Sequence, residues 1–232
     1  MKKLVVLTGA GMSAESNIST FRDSGGLWEK YNVEDVCTPQ ALENNPALVL
    51  DFYNQRRKQL LEASPNKGHL GLVELEKNYD VQIITQNVDN LHEQAGSTHV
   101  LHLHGELMKV RSTGDESLIY DLSPDNYITK LGDKCEKGFQ LRPHIVFFGE
   151  AVPMIEKASE LCMQADILAI IGTSMNVYPA AGLVSYAPKG CPIYFIDPHP
   201  NLAEDSYPNL HIIAEKAGTG VAKMIDMLSH KN

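Results

Sequence analysis

Short runs of consecutive apolar residues recur along the chain, and they are rich in branched side chains. The runs are KLVVLT (3–8), VQIIT (81–85), IVFF (145–148), ILAIIG (167–172) and PIYFID (192–197). Strands that are buried on both faces of a parallel sheet show this continuous hydrophobicity, whereas half-exposed strands alternate between apolar and polar residues. The pattern therefore predicts a parallel sheet that is covered on both faces.

Helical segments lie between several of these strands, as the crossovers of a parallel sheet require. The clearest are 153–165 and 219–230. A further helix is predicted to start at Asn45 and Pro46, because asparagine caps helix N-termini and proline suits the first helical position. We predict an α/β fold with a doubly wound, Rossmann-like parallel sheet.

Two stretches do not fit this alternation of strands and helices. Residues 30–71 contain helical patterns and no strand, and residues 108–140 are polar and irregular, with three glycines and a proline. We predict that these two insertions, 30–71 and 108–140, form a second, smaller module. The main domain is then built from 1–29, 72–107 and 141–232.

A glycine-rich turn follows the first predicted strand. TGAGMSA (8–14) fits the pattern G-x-G-x-x-G/A, with Gly9, Gly11 and Ala14 at the three fixed positions. Such glycines allow backbone N–H groups to approach a pyrophosphate at the start of the next helix. A dehydrogenase would then show a second strand that ends in an acidic residue about 20 residues on. The chain has NISTFRDSGGLWEKY there, so the turn indicates a dinucleotide site but not hydride transfer.

Charge and hydropathy narrow the range of partners. The 232 residues carry a formal net charge of -9, which disfavours nonspecific binding to nucleic acid because that needs a basic surface. No apolar run approaches the ~20 residues that cross a bilayer. The first run is too short for a signal peptide and ends in the glycine turn. We expect a soluble, cytoplasmic monomer with no nucleic-acid or membrane partner.

Five stretches, in order along the chain, resemble one protein family. They are TGAGMSAESNISTFRDSGGLW, TQNVDNLHEQAG, HLHGEL, RPHIVFFGE and GTSMNVYPAA. Together they resemble the sirtuins, the NAD-dependent protein lysine deacylases, over nearly the whole chain. Within that family the chain looks most like the compact bacterial and mitochondrial-type branch that removes acidic acyl groups. The resemblance implies NAD as co-substrate and acylated lysines of proteins as substrate.

The resemblance also assigns roles to residues of the cofactor site. It implies that the NAD phosphates lie on Gly9, Ala10, Gly11, Ser13 and Ala14, and that Phe21 and Arg22 belong to a loop that closes over the nicotinamide ribose. Gln86, Asn87 and Asp89 would line the ribose and carboxamide pocket, with Asp89 holding the amide. Gly172, Thr173 and Ser174 would contact the adenosine half, and Asp197 and Ala217 are assigned to the cofactor as well.

Asp197 departs from the family, which often has asparagine beside the adenosine ribose. An aspartate there can still accept hydrogen bonds from ribose hydroxyls. The same carboxylate should disfavour the 2′-phosphate of NADP.

A histidine is the expected general base. In the family reaction the acyl oxygen attacks C1′ of the ribose as nicotinamide leaves, and a base then activates a ribose hydroxyl. Imidazole titrates near neutral pH and suits that step. The pattern alone does not choose between His104 and His102, which lie two residues apart. The resemblance chooses His104, with Asn87 as the second catalytic residue.

The segments RPHIVFFGE and SMNVYP are expected to receive the substrate. In this family an extended lysine peptide adds as a strand between two such edges, so that backbone hydrogen bonds provide affinity with little sequence preference. A plain buried strand at 145–148 is also compatible with this pattern. The residues assigned to the substrate are Val146, Phe147, Phe148, Gly149, Glu150, Val177 and Tyr178.

Sirtuins usually bind zinc through four cysteines in the smaller module, and this chain departs from that pattern. Its four cysteines are widely spaced, Ser112 stands where the first would fall, and only Cys135 remains in the second region. One thiolate does not build a tetrahedral site. We predict no zinc, and expect the module to be held by apolar packing through Leu118, Ile119, Tyr120, Tyr127, Ile128 and Leu131.

The helix around DFYNQRRKQL (51–60) holds the candidate acyl-binding residues. Val49, Leu50, Phe52, Tyr53, Leu60 and Leu61 form its predicted buried stripe. Arg56 and Arg57 flank that stripe equally, and periodicity does not separate them. The acidic-acyl branch carries Tyr-x-x-Arg here, which matches Tyr53 and Arg56. A carboxylate in an apolar tunnel needs such a guanidinium and hydroxyl, so the resemblance implies succinyl- or malonyl-lysine as substrate, with weaker deacetylation.

Three other functions remain open from sequence. A mono-ADP-ribosyltransferase shares the cleavage of NAD, and a plain deacetylase shares the whole site except the acyl preference. A catalytically dead NAD-sensing module is disfavoured by the presence of His104 and Asn87.

Overall fold

The computed structural model describes residues 1–18, 31–175, 178–203 and 205–230. The strands of the described part are β1 (Lys2–Thr8), β2 (Tyr79–Thr85), β3 (Val100–His102), β4 (Gly105–Ser112), β5 (Ile119–Asp121), β6 (Leu141–Ile145), β7 (Ile167–Ile171), β8 (Ile193–Ile196) and β9 (Leu210–Ile213). Six of them form one sheet in the order β3-β2-β1-β7-β8-β9, and all its neighbouring strands run parallel. This confirms the predicted doubly wound fold.

The helices of the described part are α1 (Ala10–Ser13), α2 (Val33–Val36), α3 (Pro39–Asn44), α4 (Pro46–Leu61), α5 (Lys67–Leu75), α6 (Leu91–Ala95), α7 (Ile155–Met163) and α8 (Ala217–Ser229). Short 3₁₀ helices span Ala14–Ser16 and Ala180–Tyr186. The predicted start of α4 is confirmed, because Asn45 accepts a hydrogen bond from the backbone N–H of Leu48 and Pro46 is the first helical residue.

Successive residues of the central strands enter different cores. On β1, Leu4 and Val6 join a fully buried cluster with α5 and α8, while Val5 and Leu7 join a second cluster with α7 and the 3₁₀ helix at 180–186. Side chains alternate between the faces of a strand, so a strand covered on both sides must be apolar throughout. This is the physical reason for the continuous apolar runs.

A second sheet contains three antiparallel strands in the order β5-β4-β6. It adjoins a third buried cluster, in which Phe52 and Tyr53 of α4 pack with Leu107, Ile145 and Phe147. This cluster confirms that a smaller structural unit accompanies the parallel sheet. The proposed limits at 30–71 and 108–140 stay a prediction; β4 begins at Gly105 and β6 lies beyond residue 140.

The prediction of a strand over 145–148 was wrong. Strand β6 ends at Ile145, and the chain then forms a loop in which Phe148 donates its backbone N–H to the carbonyl of Cys37 and Gly149 adopts a φ of 91°. The run is apolar because Ile145 and Phe147 are buried in the third cluster, not because it continues a strand. Strand β9 was missed, and Leu61, predicted in the buried stripe of α4, is 37% exposed.

Polar contacts attach the 108–140 segment to α4, and the expectation of apolar packing was wrong for three of its six residues, while Leu118, Tyr120 and Tyr127 are partly buried. Ile119, Ile128 and Leu131 are exposed, the last by 63%. The guanidinium of Arg57 on α4 is fully buried and donates four hydrogen bonds, to the carbonyl of Leu107 at 2.8 Å, Asn54 Oδ1 at 2.9 Å, Thr129 Oγ1 at 3.1 Å and the carbonyl of Tyr127 at 3.3 Å. Asn54 also accepts from the N–H of Thr129 at 2.9 Å.

A thiol and a hydroxyl meet in the region where the resemblance would place zinc cysteines. Cys135 Sγ donates to Ser112 Oγ at 3.3 Å, and the same oxygen accepts from the N–H groups of Gly114 and Asp115. Both side chains are buried. Among the described residues no group of three or more His, Cys, Asp or Glu side chains could hold a metal ion, and a serine and a single thiol do not fit a structural zinc.

Candidate functional site

The glycine turn after β1 packs directly against the end of β7. Gly9 donates its N–H to the carbonyl of Ile171 at 3.0 Å, and Gly11 donates to that of Gly172 at 2.8 Å. A Cβ at Gly11 would lie 2.7 Å from the Cα of Gly172, so any side chain there would push the two turns apart. Strand β1 is the point at which the strand order reverses, and ligands of doubly wound sheets bind in the crevice at that point.

Buried polar side chains meet beside this turn. Asn87 donates from Nδ2 to the carbonyl of Gly9 at 3.0 Å and to Ser13 Oγ at 3.1 Å, and Ser13 Oγ donates to Asp89 Oδ2 at 2.9 Å. These three side chains are no more than 9% exposed. Burial raises the pKa of the Asp89 carboxyl, which the hydroxyl of Ser13 and the N–H of Leu91 oppose. The structure therefore brings together the residues that the resemblance assigns to the nicotinamide half of NAD.

The remaining residues assigned to the cofactor lie at the same carboxyl edge of the sheet. Gln86 bridges from the end of β2 to the end of β7, donating from Nε2 to Thr173 Oγ1 at 3.1 Å. Asp197 follows β8, and its Oδ1 accepts the N–H of His199 at 2.8 Å. The other assigned residues are Ala10 in α1, exposed Ala14, Gly172 and Ser174 after β7, and buried Ala217 at the start of α8.

His104 lies between the two sheets. Its Nδ1 is 3.0 Å from the carbonyl oxygen of Gln86, which only accepts, so Nδ1 carries the proton. In the neutral ring Nε2 is then the acceptor, and burial keeps the pKa of His104 below its usual value, with the Gln86 carbonyl opposing. Gly105 follows with a φ of 82°, and a Cβ there would collide with the carbonyl of His144. A neutral imidazole with a free acceptor nitrogen has the form that a general base requires.

His102, the rival base, has both nitrogens occupied. Nδ1 is 3.1 Å from the carbonyl oxygen of Asn87, and Nε2 is 2.8 Å from Glu93 Oε1. Burial lowers the pKa of His102, but the hydrogen bond and charge of Glu93 outweigh it, and the net shift is upward. A ring that donates to two acceptors has no lone pair with which to take a proton, so the geometry favours His104 as the base.

The two arginines of α4 have different environments in the structure. Arg57 is buried and bonded to the 107–129 segment, as described above. Arg56 is half-buried, with its guanidinium carbon 5.8 Å from the ring centroid of Phe52 and 6.0 Å from that of Tyr53. The Tyr53 hydroxyl lies 3.3 Å from Cys37 Sγ, and burial raises the pKa of Tyr53 well above its usual value, which keeps the hydroxyl protonated.

The candidate substrate edge touches both the base and this helix. Val146 donates its N–H to the carbonyl of His104 at 3.0 Å. Phe147 stacks on Tyr53 with ring centroids 5.8 Å apart, and exposed Phe148 and Gly149 follow. On the opposite segment Tyr178 is 77% exposed.

The side chain of Glu150 accepts hydrogen bonds from three other residues of the protein. It accepts from Arg142 Nη1 at 2.6 Å, from Arg111 Nη2 at 3.4 Å and from the N–H of Phe147 at 2.7 Å. This carboxylate holds the loop together, and the assignment of Glu150 to the substrate stays a prediction.

Three assigned residues, Phe21, Arg22 and Val177, lie outside the described part of the chain.

Sequence reasoning missed several residues that support the site. Asn66 caps α5 and also donates to the carbonyl of Met12 at 2.8 Å and to Ser16 Oγ at 3.0 Å, which anchors the helix after the glycine turn. Its cap position before an apolar run was the available signal. Cys37 and Glu93 had no local signal, because their partners Tyr53 and His102 lie in other elements.

Comparison with known proteins agrees with this geometry. The family model described as "Sir2 family" matches residues 9–179. An NAD-dependent protein deacylase of Bacteroides thetaiotaomicron is 58% identical over 231 residues, which cover 98% of each chain. A Sir2 homolog solved in complex with NAD is 37% identical, with a TM-score of 0.88 over 99% of this chain and 90% of the other. A Sir2 protein solved with a deacetylated p53 peptide and 3′-O-acetyl-ADP-ribose is 29% identical, with a TM-score of 0.79 over 97% and 93%.

Proposed function

Because the chain belongs to the Sir2 family, we propose that it is an NAD-dependent enzyme that removes acyl groups from lysine side chains of proteins. The name of the Bacteroides relative and the peptide and NAD complexes of the structural neighbours support this activity. The observation that carries it is that Asn87 and Asp89 bind Gly9 and Ser13 at the glycine turn, while His104 binds the carbonyl of Gln86, the residue before Asn87.

The residues present fit the dinucleotide. Gly9 and Gly11 donate their own N–H groups to the end of β7, and because they carry no side chains a pyrophosphate can approach the backbone of the turn closely. Both N–H groups of the Asn87 amide are used within the protein, so Asn87 Oδ1 and the Asp89 carboxylate are buried acceptors for a ribose hydroxyl and a carboxamide N–H. When bound, NAD supplies the glycosidic bond to nicotinamide, whose cleavage makes C1′ an electrophile.

The protein's own contribution is positioning and proton transfer. Asn87 and Asp89 are held rigidly by Ser13 and the carbonyl of Gly9, which limits the freedom of the bound ribose and carboxamide. His104 takes the proton of a ribose hydroxyl at Nε2, and its Nδ1–H remains on the carbonyl of Gln86. An extended peptide would add between 146–149 and the segment that ends at Tyr178, which places its acylated lysine beside His104.

Acidic acyl groups are the proposed preference. Of the two arginines of α4, Arg56 is the candidate, since Arg57 is buried and bonded within the protein while Arg56 is half-buried beside the rings of Phe52 and Tyr53. A protonated Tyr53 hydroxyl and the Arg56 guanidinium are donors for a succinyl or malonyl carboxylate. An acetyl group ends in a methyl group and has no carboxylate to bind either of them. Deacetylation is therefore proposed as the weaker activity.

The decisive experiment compares succinylated and acetylated forms of one peptide. We expect wild-type protein to release nicotinamide and O-acyl-ADP-ribose with both, and to favour the succinyl form in kcat/KM. Arg56→Met should lower the succinyl/acetyl ratio by about 10-fold or more, because a hydrogen bond to a charged group contributes about 1.5–3 kcal/mol. Lys58→Met, an exposed charge on the same helix, is the matched control. An unchanged ratio in Arg56→Met removes Arg56 from this role, and ADP-ribosylated peptide in the mass spectrum indicates transferase activity instead.

We further propose a cytoplasmic monomer, a substrate set of acylated proteins, and no bound zinc. Within the described residues no helix is both long enough and apolar enough to cross a membrane. Light scattering of the purified protein tests the oligomeric state.

A further inference from the structure

The carbonyl oxygens of the turn after β2 are bound by a single segment of the chain. Three consecutive carbonyl oxygens accept hydrogen bonds from residues 102–107: that of Gln86 from His104 Nδ1 at 3.0 Å, that of Asn87 from His102 Nδ1 at 3.1 Å and that of Val88 from the N–H of Leu107 at 2.7 Å. Two of the three donors are imidazoles. The turn that carries Asn87 and Asp89 is therefore tied to the segment that carries the base.

The two imidazoles differ in their second nitrogen. Nε2 of His104 has no hydrogen-bond partner in the described part of the chain, whereas Nε2 of His102 meets Glu93 Oε1 at 2.8 Å. A carbonyl and a carboxylate both accept, so a His102 ring bonded to both carries two N–H groups and a positive charge. Its side chain is 7% exposed, and a charge so placed is fixed in orientation by its two partners.

The charge of His102 also reaches Asp89. Burial of Asp89 disfavours its ionised form, and His102 is among the groups that lower the pKa of Asp89 against that burial. The ionised Asp89 carboxylate accepts hydrogen bonds from the hydroxyl of Ser13 and the N–H of Leu91. Only in this ionised form are both of its oxygens acceptors for a carboxamide N–H as well. His102 thus acts on the site twice, through the backbone of Asn87 and through the charge of Asp89.

We propose that His102 and Glu93 form a positioning pair for this reaction, which holds the Asn87–Asp89 turn in register with His104 and provides a fixed positive charge beside Asp89. The inference rests on the proposed function and assigns two further residues to the same site. Neither side chain takes part in the chemistry. Both act through Asn87, Asp89 and His104.

The charged surroundings of His102 are mixed in sign. Glu93 and His92 face it from α6, Glu106 faces it from β4, and Asp89 faces it from the turn. Lys109 on β4 binds Glu106 at 2.9 Å and weakens that contribution. Glu93 makes the direct hydrogen bond, so its removal should lower the pKa of His102 most.

The test uses two variants of the full chain. Glu93→Gln keeps a side chain of the same shape without the charge, and His102→Gln keeps a donor for the Asn87 carbonyl without the ring. The matched control is Glu74→Gln, which removes an exposed carboxylate on α5. For each protein, kcat/KM with acylated peptide is measured against pH, the His102 ring is titrated by NMR, and thermal unfolding shows that the fold is kept.

We expect a bell-shaped profile for wild type, in which the acid limb reports His104 and the alkaline limb reports loss of the His102 charge. Glu93→Gln should move the alkaline limb and the NMR titration of His102 to lower pH. His102→Gln should abolish that limb and lower kcat by up to about 10²-fold, the effect of a small misplacement of catalytic groups. The acid limb and the KM for peptide should not change.

Two results would overturn the inference. One is an alkaline limb that stays in place in both variants, and the other is an activity loss that merely follows a loss of folded protein. Failure of the proposed function looks different, because wild type itself would then release no nicotinamide. In that case the NMR titration still reports whether Glu93 sets the charge of His102.

Discussion

The carboxyl edge of the six-stranded sheet and the segment 108–140 are built in opposite ways. At the edge, polar side chains such as Asn87 and Asp89 are buried on a platform of apolar strands and bond to one another and to the backbone. In 108–140, apolar side chains such as Leu131 are exposed and a few polar contacts from Arg57 provide the attachment. At the carboxyl edge, apolar packing of the strands holds the polar side chains in fixed positions. In the 108–140 segment, a few hydrogen bonds determine stability.

The largest effect should come from the edge. His104→Ala removes the proposed base, and we expect nicotinamide release with acylated peptide to fall by about 10²- to 10⁴-fold. The melting temperature should change little, since the ring makes one hydrogen bond, to a backbone carbonyl. His99→Ala, an exposed histidine before β3, is the control. Equal activities of the two variants would show that the edge is not the catalytic region.

Acid should have the next largest effect, by lowering the free energy of unfolding. Burial lowers the pKa of His69 to about 4 and that of His92 to about 3. The two buried rings lie with their centroids 4.8 Å apart, and they form hydrogen bonds with the N–H of Asn66 and the hydroxyl of Thr8, respectively. The unfolded chain binds these protons near pH 6.5 and the folded chain does not, so stability is complete above that pH and falls as the pH drops towards 4. The loss should be at least about 3 kcal/mol, at about 1.4 kcal/mol per pKa unit.

Urea unfolding at pH 7 and at pH 4.5 measures this loss. His92→Gln should reduce the pH dependence, because one of the two buried rings is gone. His230→Gln, which changes an exposed histidine at the end of α8, should leave it as in wild type. A urea midpoint that does not move between the two pH values contradicts the prediction.

Two adjacent residues of α4, Arg57 and Arg56, should contribute very differently to the stability of the smaller module. Arg57→Met removes four hydrogen bonds from a buried guanidinium, and we expect a loss of about 3 kcal/mol in the free energy of unfolding. Arg56→Met should cost less than about 0.5 kcal/mol, as is usual for a side chain without such bonds. Urea denaturation of both variants compares them directly. Similar losses would mean that the module is not held by Arg57.

The smallest effect concerns the buried pair of Ser112 and Cys135. Ser112→Ala removes the acceptor of the Cys135 thiol and should cost about 1 kcal/mol, whereas Thr113→Ala, at an exposed neighbour, should be neutral. Dialysis against a chelator should leave the melting temperature of wild type unchanged. A drop after dialysis would show that the module binds a metal.

Burial on both faces determined how much of the fold could be predicted. β1, β2, β7 and β8 are continuous apolar runs because both of their faces are covered. β9 contains His211 and is largely half-exposed at the sheet edge, so its pattern was too polar to indicate a strand. The run 145–148 was misassigned because burial in the third cluster and strand formation give the same apolar pattern.

The site was predictable only where its residues are neighbours in sequence. The glycine turn and the QNVD stretch are local, and the family resemblance assigned their roles. The choice between Arg56 and Arg57 depended on contacts of Arg57 with residues 107–129, which no helical periodicity contains. The same holds for His102 and Glu93, which are brought together by the packing of α6 beside β3.

A single peptide link separates the imidazole of His104 from the second sheet. β3 of the parallel sheet ends at His102, β4 of the antiparallel sheet begins at Gly105, and His104, the proposed base, lies in the two-residue link between them. It belongs to neither sheet, and a rotation of one against the other would be transmitted to its ring. Only glycine fits at position 105, so this position does not tolerate another residue. Any change in the pKa or orientation of the His104 ring must therefore come from the other residues around it.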